Sequence, residues 1–164
     1  MKTDEKRNSD GIHLWLVLWK AFRSVEAHAH RHISEFGLGL SDFGVLEVLM
    51  HKGPQTVKEL GAKVMLTSGS MTAALDRLER RDLIERTGDK GDRRVRVIKL
   101  TRAGAALIRE SFEDHKQAME EAVAGIGEED RRVAIDLLRR IGLHAVAQLE
   151  SADKNVAVKN GRKK

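Results

Sequence analysis

Apolar side chains recur along the chain at steps of three and four residues in six separate runs, the spacing that gathers them on one face of a helix. The first run carries Trp15, Leu18, Phe22, Val25, Ala29, Ile33 and Phe36 and predicts one long amphipathic helix from about Gly11 to Phe36. Residues 1–10 are polar and predict a frayed end. Gly37-Leu38-Gly39 stops the helix, and Ser41 is placed to cap a second one with Phe43, Leu46 and Leu49 on one side. His51-Lys52-Gly53-Pro54 reads as a turn, with room for a short strand at Gln55-Thr56. Thr56-Val57-Lys58-Glu59 has the spacing of a capping box, in which the hydroxyl and the carboxylate each satisfy a loose backbone N–H. It opens a third helix, to about Val64, with Val57, Leu60 and Val64 inward.

Only Met65 and Leu66 separate that helix from a fourth, in which Met71, Leu75 and Leu78 share a core face. Two short helices with so tight a join make a helix-turn-helix. About half a circle from the core face come Gly69, Ala73 and Arg77, with Ser70 and Thr72 at the margins. Small residues there let the backbone approach another surface, while hydroxyls and a guanidinium can bond to it. Thr67 or Ser68 can cap the helix start, where free amides favour an anion. Two strand-like runs follow, Leu83 to Thr87 and Val95 to Leu100, joined by the charged link Gly88 to Arg94. A recognition helix beside a basic-tipped β-wing is a DNA-reading device.

Thr101 is then placed to cap a long helix whose stripe is Gly104, Ile108, Phe112, His115, Met119 and Ala122. Gly125-Ile126-Gly127 breaks it, and a last helix from about Glu128 to Glu150 carries Ala134, Leu137, Leu138, Ile141, Ala145 and Leu149. The terminal helices hold more apolar stripe than a small winged module can cover. They are expected to bury it against each other and against a second copy of the chain. From Ser151 the sequence is polar and closes on Lys159, Arg162, Lys163 and Lys164, which predicts a disordered basic tail over 151–164. The organisation read from the pattern is therefore mainly α with a small β-wing. A winged helix-turn-helix DNA-binding domain spans 41–100, and a helical dimerisation region is built from 11–36 and 101–150.

Composition changes this picture only at the edges. The 164 residues suit one domain with appended helices, and one proline with no tyrosine argues against a sandwich or barrel. Thirty Lys and Arg against 25 Asp and Glu leave a net charge of +5, too modest to establish nucleic-acid binding unaided. Placement matters more: between Leu66 and Thr101 there are nine basic and six acidic residues. The absence of cysteine excludes a disulfide framework, a thiolate metal site and a thiol redox switch. The apolar run Leu14 to Trp19 is too short for a signal peptide and is broken by Lys20. No stretch is long enough to cross a bilayer, so a cytoplasmic protein without membrane partners is expected.

At this point the residues form a family pattern. The chain from about Leu14 to Leu149 resembles the MarR family of bacterial winged-helix regulators. The resemblance is carried by Gly39-Leu40-Ser41, by Thr56-Val57-Lys58-Glu59-Leu60, and by Leu66 through Thr72. It is carried further by Asp76-Arg77-Leu78-Glu79, Leu83-Ile84-Glu85-Arg86, Asp92-Arg93-Arg94 and Leu100-Thr101. Arg81-Asp82-Leu83 departs from it, because the family often has glycine where Asp82 stands. The resemblance implies a homodimer whose two winged modules straddle a palindromic operator in double-stranded DNA. It also implies repression that a small, often aromatic or phenolic, effector relieves.

Candidate DNA contacts are Thr67, Ser68, Gly69, Ser70, Thr72, Ala73 and Arg77 on the recognition helix, and Lys90, Arg93 and Arg94 on the wing. Arg77 suits a phosphate or a guanine edge, or else a pairing with Asp76. Arg93 and Arg94 suit a narrow minor groove, or one of them is held by Asp92 as a brace. Trp19, Phe22, Arg23, Phe43, Phe112 and His115 are candidates for an effector pocket, their ordinary alternative being core or dimer packing. His28 and His32, four apart on the first helix, have a spacing that can serve one metal, but no cysteine or fixed carboxylate accompanies them. No cofactor is expected. Neither a nucleophile–base pair nor a phosphate-binding glycine loop is present, which argues against an enzyme. The remaining alternatives are a winged-helix module whose outer face binds protein, and a zinc-responsive regulator.

Overall fold

The computed structural model describes residues 2–64, 66–88 and 96–161, and the side chains of 10–64, 66–88 and 96–152. In chain order the elements are α1 (Lys2–Glu35), α2 (Leu40–Lys52), β1 (Gln55–Thr56), α3 (Val57–Val64) and α4 (Ser68–Arg80). They continue with β2 (Ile84–Gly88), β3 (Arg96–Leu100), α5 (Arg102–Ala122) and α6 (Glu128–Gly161). The strands form one antiparallel sheet in the order β1-β3-β2, with Gln55 opposite Ile98 and Arg86 also opposite Ile98 on the other side. This is the winged helix-turn-helix the pattern predicts: α3 and α4 joined tightly, then a hairpin.

The helix faces are those the three- and four-residue steps mark. Met71, Leu75 and Leu78 of α4 are buried, and Phe43, Leu46 and Leu49 of α2 with them. Leu60 of α3, Ile84 and Ile98 of the sheet, Ile33 of α1 and Ile108 of α5 complete one core. Each fully buried aliphatic side chain of this kind contributes about 1.5–3 kcal/mol relative to exposure. Val57 departs from expectation: it is exposed at the first position of α3, directly after β1.

Three caps hold the helix starts. In the capping box the Thr56 amide donates to Glu59 Oε2 at 2.7 Å and the Glu59 amide donates to Thr56 Oγ1 at 3.2 Å. The Thr56 amide and the Thr56 hydroxyl, which donates to the same Oε2 at 2.8 Å, hold the Glu59 carboxyl below its ordinary value, aided by Lys63. Thr67, rather than Ser68, caps α4, its oxygen accepting from the Ser70 amide at 3.2 Å. Thr101 caps α5 through the Gly104 amide at 3.0 Å and donates its hydroxyl to Asp82 O at 2.6 Å.

The end of α4 is a Schellman turn. Asp82 donates to Glu79 O at 2.9 Å and Leu83 to Leu78 O at 3.0 Å, with Asp82 itself at φ +56°. That left-handed backbone is why glycine suits the position. Immediately beyond, α5 crosses the start of β2 so closely that a Cβ on Gly104 would lie 1.9 Å from Leu83 O.

Three helix ends differ from the sequence reading. Ser41 does not cap α2, which starts at Leu40 with Gly39 as its N-cap and no side-chain cap bond, so Ser41 lies inside the first turn. α1 already starts at Lys2, and α6 continues through Gly161 rather than ending at Glu150. Neither stretch 2–10 nor 151–160 contains glycine or proline, so polar composition there carries no stop signal. The chain divides into two units, residues 1–122 and 123–164. α6 carries exposed Leu137, Leu138, Leu143, Val146 and Leu149. Within the first unit, the N-terminal half of α1 exposes Trp15, Trp19 and Phe22, while Ala29 and Ile33 in its other half are buried. No described helix is long and apolar enough to cross a membrane.

Candidate nucleic-acid interface

With Met71, Ala74, Leu75 and Leu78 buried, α4 presents Thr67, Ser68, Gly69, Ser70, Thr72 and Ala73 to solvent. All six were singled out from the sequence, and the structure brings them onto the exposed N-terminal half of one helix. Their hydroxyls are partly engaged: Thr67 donates to Ser70 Oγ at 2.9 Å, and Thr72 donates to Ser68 O at 3.1 Å. Gly69 has open space where a Cβ would stand.

Arg77 is placed differently from its expectation as an outer-face residue. At about 100° per residue, Arg77 lies about 80° around the axis from Gly69, on the flank of α4 that meets α2. There it donates Nη2 to Asp42 Oδ1 at 2.7 Å and Nε to Asp42 Oδ2 at 3.2 Å. Asp42 is 5% exposed, and its hydrogen bonds push the Arg77 guanidinium above its usual pKa. The partner is thus Asp42 and not Asp76. The Arg77 side chain remains 43% exposed.

The outward line of α4 runs instead through Gly69, Ala73, Asp76 and Arg80, all exposed. Asp76 is tied to the wing: Arg86 of β2 donates Nη2 to Asp76 Oδ1, and Arg86 Nε lies 3.1 Å from Glu79 Oε2. At the far end of α4, Arg81 donates to Gly37 O at 2.6 Å, which joins the recognition helix to the α1–α2 turn. Asp42, Asp76 and Arg86 escaped the sequence reading because their roles depend on partners outside their own elements, and Arg80 because the helix angle was not carried past Ala73. Counting the helix angle past Gly69 would have moved Arg77 off the outer line and Asp76 onto it. Lys90, Arg93 and Arg94 lie outside the described residues.

The effector-pocket candidates separate into two groups. The Phe43 and His115 rings meet at 4.9 Å between centroids, and Phe112 packs edge-on against His51 at 5.0 Å. His32 of α1 completes this corner, 5.6 Å from His115 and 5.4 Å from Phe36. Burial lowers the His115 pKa from its ordinary value, and the charges of His32 and His28 lower it further. The Nδ1 atoms of His32 and His115 are both buried without a hydrogen-bond partner. Trp19, Phe22 and Arg23 are not part of that corner: Trp19 precedes His32 by thirteen residues, about 20 Å along α1. Trp19 stacks with Trp15 at 6.4 Å, and the Arg23 guanidinium lies 5.9 Å from the Trp19 ring centre. Among the described residues no three His, Asp or Glu side chains are grouped to hold a metal ion.

Comparison with known proteins finds the same fold and the same class. The MarR family model matches residues 38–95. The HTH-type transcriptional regulator MhqR of Bacillus subtilis is 37% identical over 134 residues, covering 82% of this chain and 92% of MhqR. Among solved structures, a mutant MarR from E. coli complexed with operator DNA superposes with a TM-score of 0.74 at 21% identity, covering 80% of this chain and 95% of that one. BpsR of Bordetella bronchiseptica, solved in a study of how 6-hydroxynicotinic acid regulates its DNA binding, gives 0.73 at 23%, covering 79% and 98%.

Proposed function

We propose, from the premise that this chain belongs to the MarR family and is a DNA-binding transcriptional regulator rather than an enzyme, that it acts as a homodimeric repressor on a palindromic operator. In this reading each α4 enters a major groove with its exposed small and hydroxyl-bearing turn leading. The two recognition helices sit about 34 Å apart on one face of the duplex, and the wings reach the flanking minor grooves. The observation that carries the reading is the split of α4 into a fully buried apolar face and an exposed face of Ser68, Gly69, Thr72 and Ala73. Arg77 keeps enough exposed surface beyond its Asp42 pair to offer an N–H to a phosphate. Arg93, Arg94 and Lys90 supply the wing's charge.

The dimer is supported by the apolar surface left open on α1 and, separately, on α6. Side chains such as Trp15, Trp19 and Phe22, about half exposed or more in the single chain, call for a covering surface. The domains then divide as 11–36 and 101–150 for pairing and 41–100 for DNA, in a cytoplasmic protein. Release follows when a small aromatic acid or phenol enters the Phe43–His115 corner, where α1, α2 and α5 meet. It shifts the dimer away from operator spacing by its differential affinity for the two shapes. The relevance of an aromatic acid is supported by what BpsR responds to.

The test is footprinting of the DNA upstream of the protein's own gene, with a salt titration of the complex. A symmetric protected segment and a steep loss of affinity with salt are expected, since phosphate contacts release counterions. Affinity that is flat in salt, without sequence-specific protection, would sink the reading in favour of a protein-binding winged helix.

A further inference from the structure

The outward line of the recognition helix has an acid at its centre. Gly69, Ala73, Asp76 and Arg80 follow one another at helical steps on the side opposite the buried Met71, Ala74 and Leu78. On a surface that approaches phosphates, a carboxylate costs affinity, so charge attraction does not account for Asp76. Asp76 is also held. Arg86, from the first strand of the wing, donates to Oδ1, and Arg86 is itself flanked by Glu79 at 3.1 Å. This leaves Oδ2 without a hydrogen bond among the described residues, on a side chain 51% exposed. The residues at the two preceding turns, Gly69 and Ala73, are too small to keep the helix backbone at a distance.

We infer that Asp76 is a specificity-determining residue that accepts a hydrogen bond from the exocyclic amine of a cytosine, once in each half-site. The inference rests on the DNA-binding reading above and deepens it. A carboxylate only accepts, and the major groove offers it two kinds of amine donor, cytosine N4 and adenine N6. Beside adenine N6 stands N7, whose lone pair repels a carboxylate, whereas beside cytosine N4 stands only a C–H. Cytosine is therefore the base that Asp76 admits. Arg86 holds the carboxylate in one orientation and offsets its charge near the backbone. The pairing at once lowers nonspecific attraction and sharpens the choice of base.

The experiment is selection of duplexes from a random-sequence pool by the full-length chain, followed by titration of the selected duplex and its single-base variants at fixed salt. Wild type, Asp76→Asn and Asp76→Ala are compared, with thermal melting of each as a check on folding. Wild type is expected to select a symmetric motif with one cytosine position preferred roughly tenfold. Asp76→Ala should lose that preference alone and bind unselected DNA at least as tightly as wild type. Asp76→Asn, which keeps the shape but adds a donor, should accept guanine there as well. A preference unchanged in both variants overturns the inference. So does a uniform loss of affinity for every duplex, which would make Asp76 only a strut between α4 and the wing. A wild-type chain that selects no duplex at all would instead overturn the DNA-binding reading itself.

Discussion

Asp42 and Arg77, 35 residues apart, meet in a two-point ion pair in which one partner is buried and the other is half in water. The asymmetry sets what each loss costs. Removing the guanidinium leaves a carboxylate that is 5% exposed without its counter-ion, whereas removing the carboxylate leaves a guanidinium that can rehydrate. Arg77→Ala is expected to lower stability by about 2 kcal/mol, and Asp42→Asn by about 1 kcal/mol, since the amide oxygen keeps one hydrogen bond. Urea unfolding at neutral pH and fixed protein concentration measures both. The reverse order would mean that Arg77 gains its stability elsewhere.

Two glycines in helices are expected to respond to alanine with opposite signs. Gly104 sits where α5 crosses the start of β2, and a methyl group there would stand 1.9 Å from the Leu83 carbonyl oxygen and 2.8 Å from its carbon. Backbone, not a flexible side chain, must yield, so Gly104→Ala should cost about 3 kcal/mol. Gly61, inside α3, has nothing within 4 Å of the same position, and Gly61→Ala should stabilise by about 0.5–1 kcal/mol through helix propensity. Denaturation midpoints of the two variants against wild type check the pair.

What the sequence made legible was what is local. The Met71, Leu75 and Leu78 face, the Thr56–Glu59 box and the Thr101 cap all follow from partners within one or two helical turns, and all are found. The winged-helix order of elements follows from the same local signals. Pairings across the chain were not legible: nothing in the residues around Arg77 points to Asp42, or around Asp76 to Arg86. The outer face of α4 was misjudged at one position because a residue eight along from Gly69 has drifted off the line by about 80°. The helix ends at Lys2 and Gly161 were hidden because polarity resembles a frayed end, while helix continuation depends on backbone-breaking residues that neither stretch contains.

The turn after α4 stores a correctable strain. Asp82 holds φ +56°, a left-handed backbone that costs a residue with a Cβ about 1 kcal/mol relative to glycine. Its hydrogen bonds to Glu79 and Thr101 use backbone atoms, which glycine retains. Asp82→Gly is therefore expected to raise stability by about 0.5–1 kcal/mol, part of the gain being offset by greater freedom of the unfolded chain. Thermal unfolding at fixed concentration checks it. A destabilised variant would assign the Asp82 side chain a bond that the backbone account omits.

His115 makes stability depend on pH in a direction that can be worked out. Burial against Phe43 disfavours its charged form, as do the charges of His32 and His28, so its pKa in the fold lies below the ordinary 6.5. In the unfolded chain the same side chain takes up its proton near 6.5. Between the two values the unfolded state holds more protons, and stability rises with pH. The contribution is complete above 6.5 and is lost as the pH falls through the folded value. His115→Phe, which keeps an aromatic ring beside Phe43, is expected to flatten the acid side of the stability curve relative to wild type between about pH 5 and pH 7. Carboxylates titrate alike in both proteins, so the difference between the curves isolates the imidazole. Proton NMR of the ring C–H resonance missing from His115→Phe gives the same answer directly, and a titration midpoint above 6.5 would reverse the predicted sign.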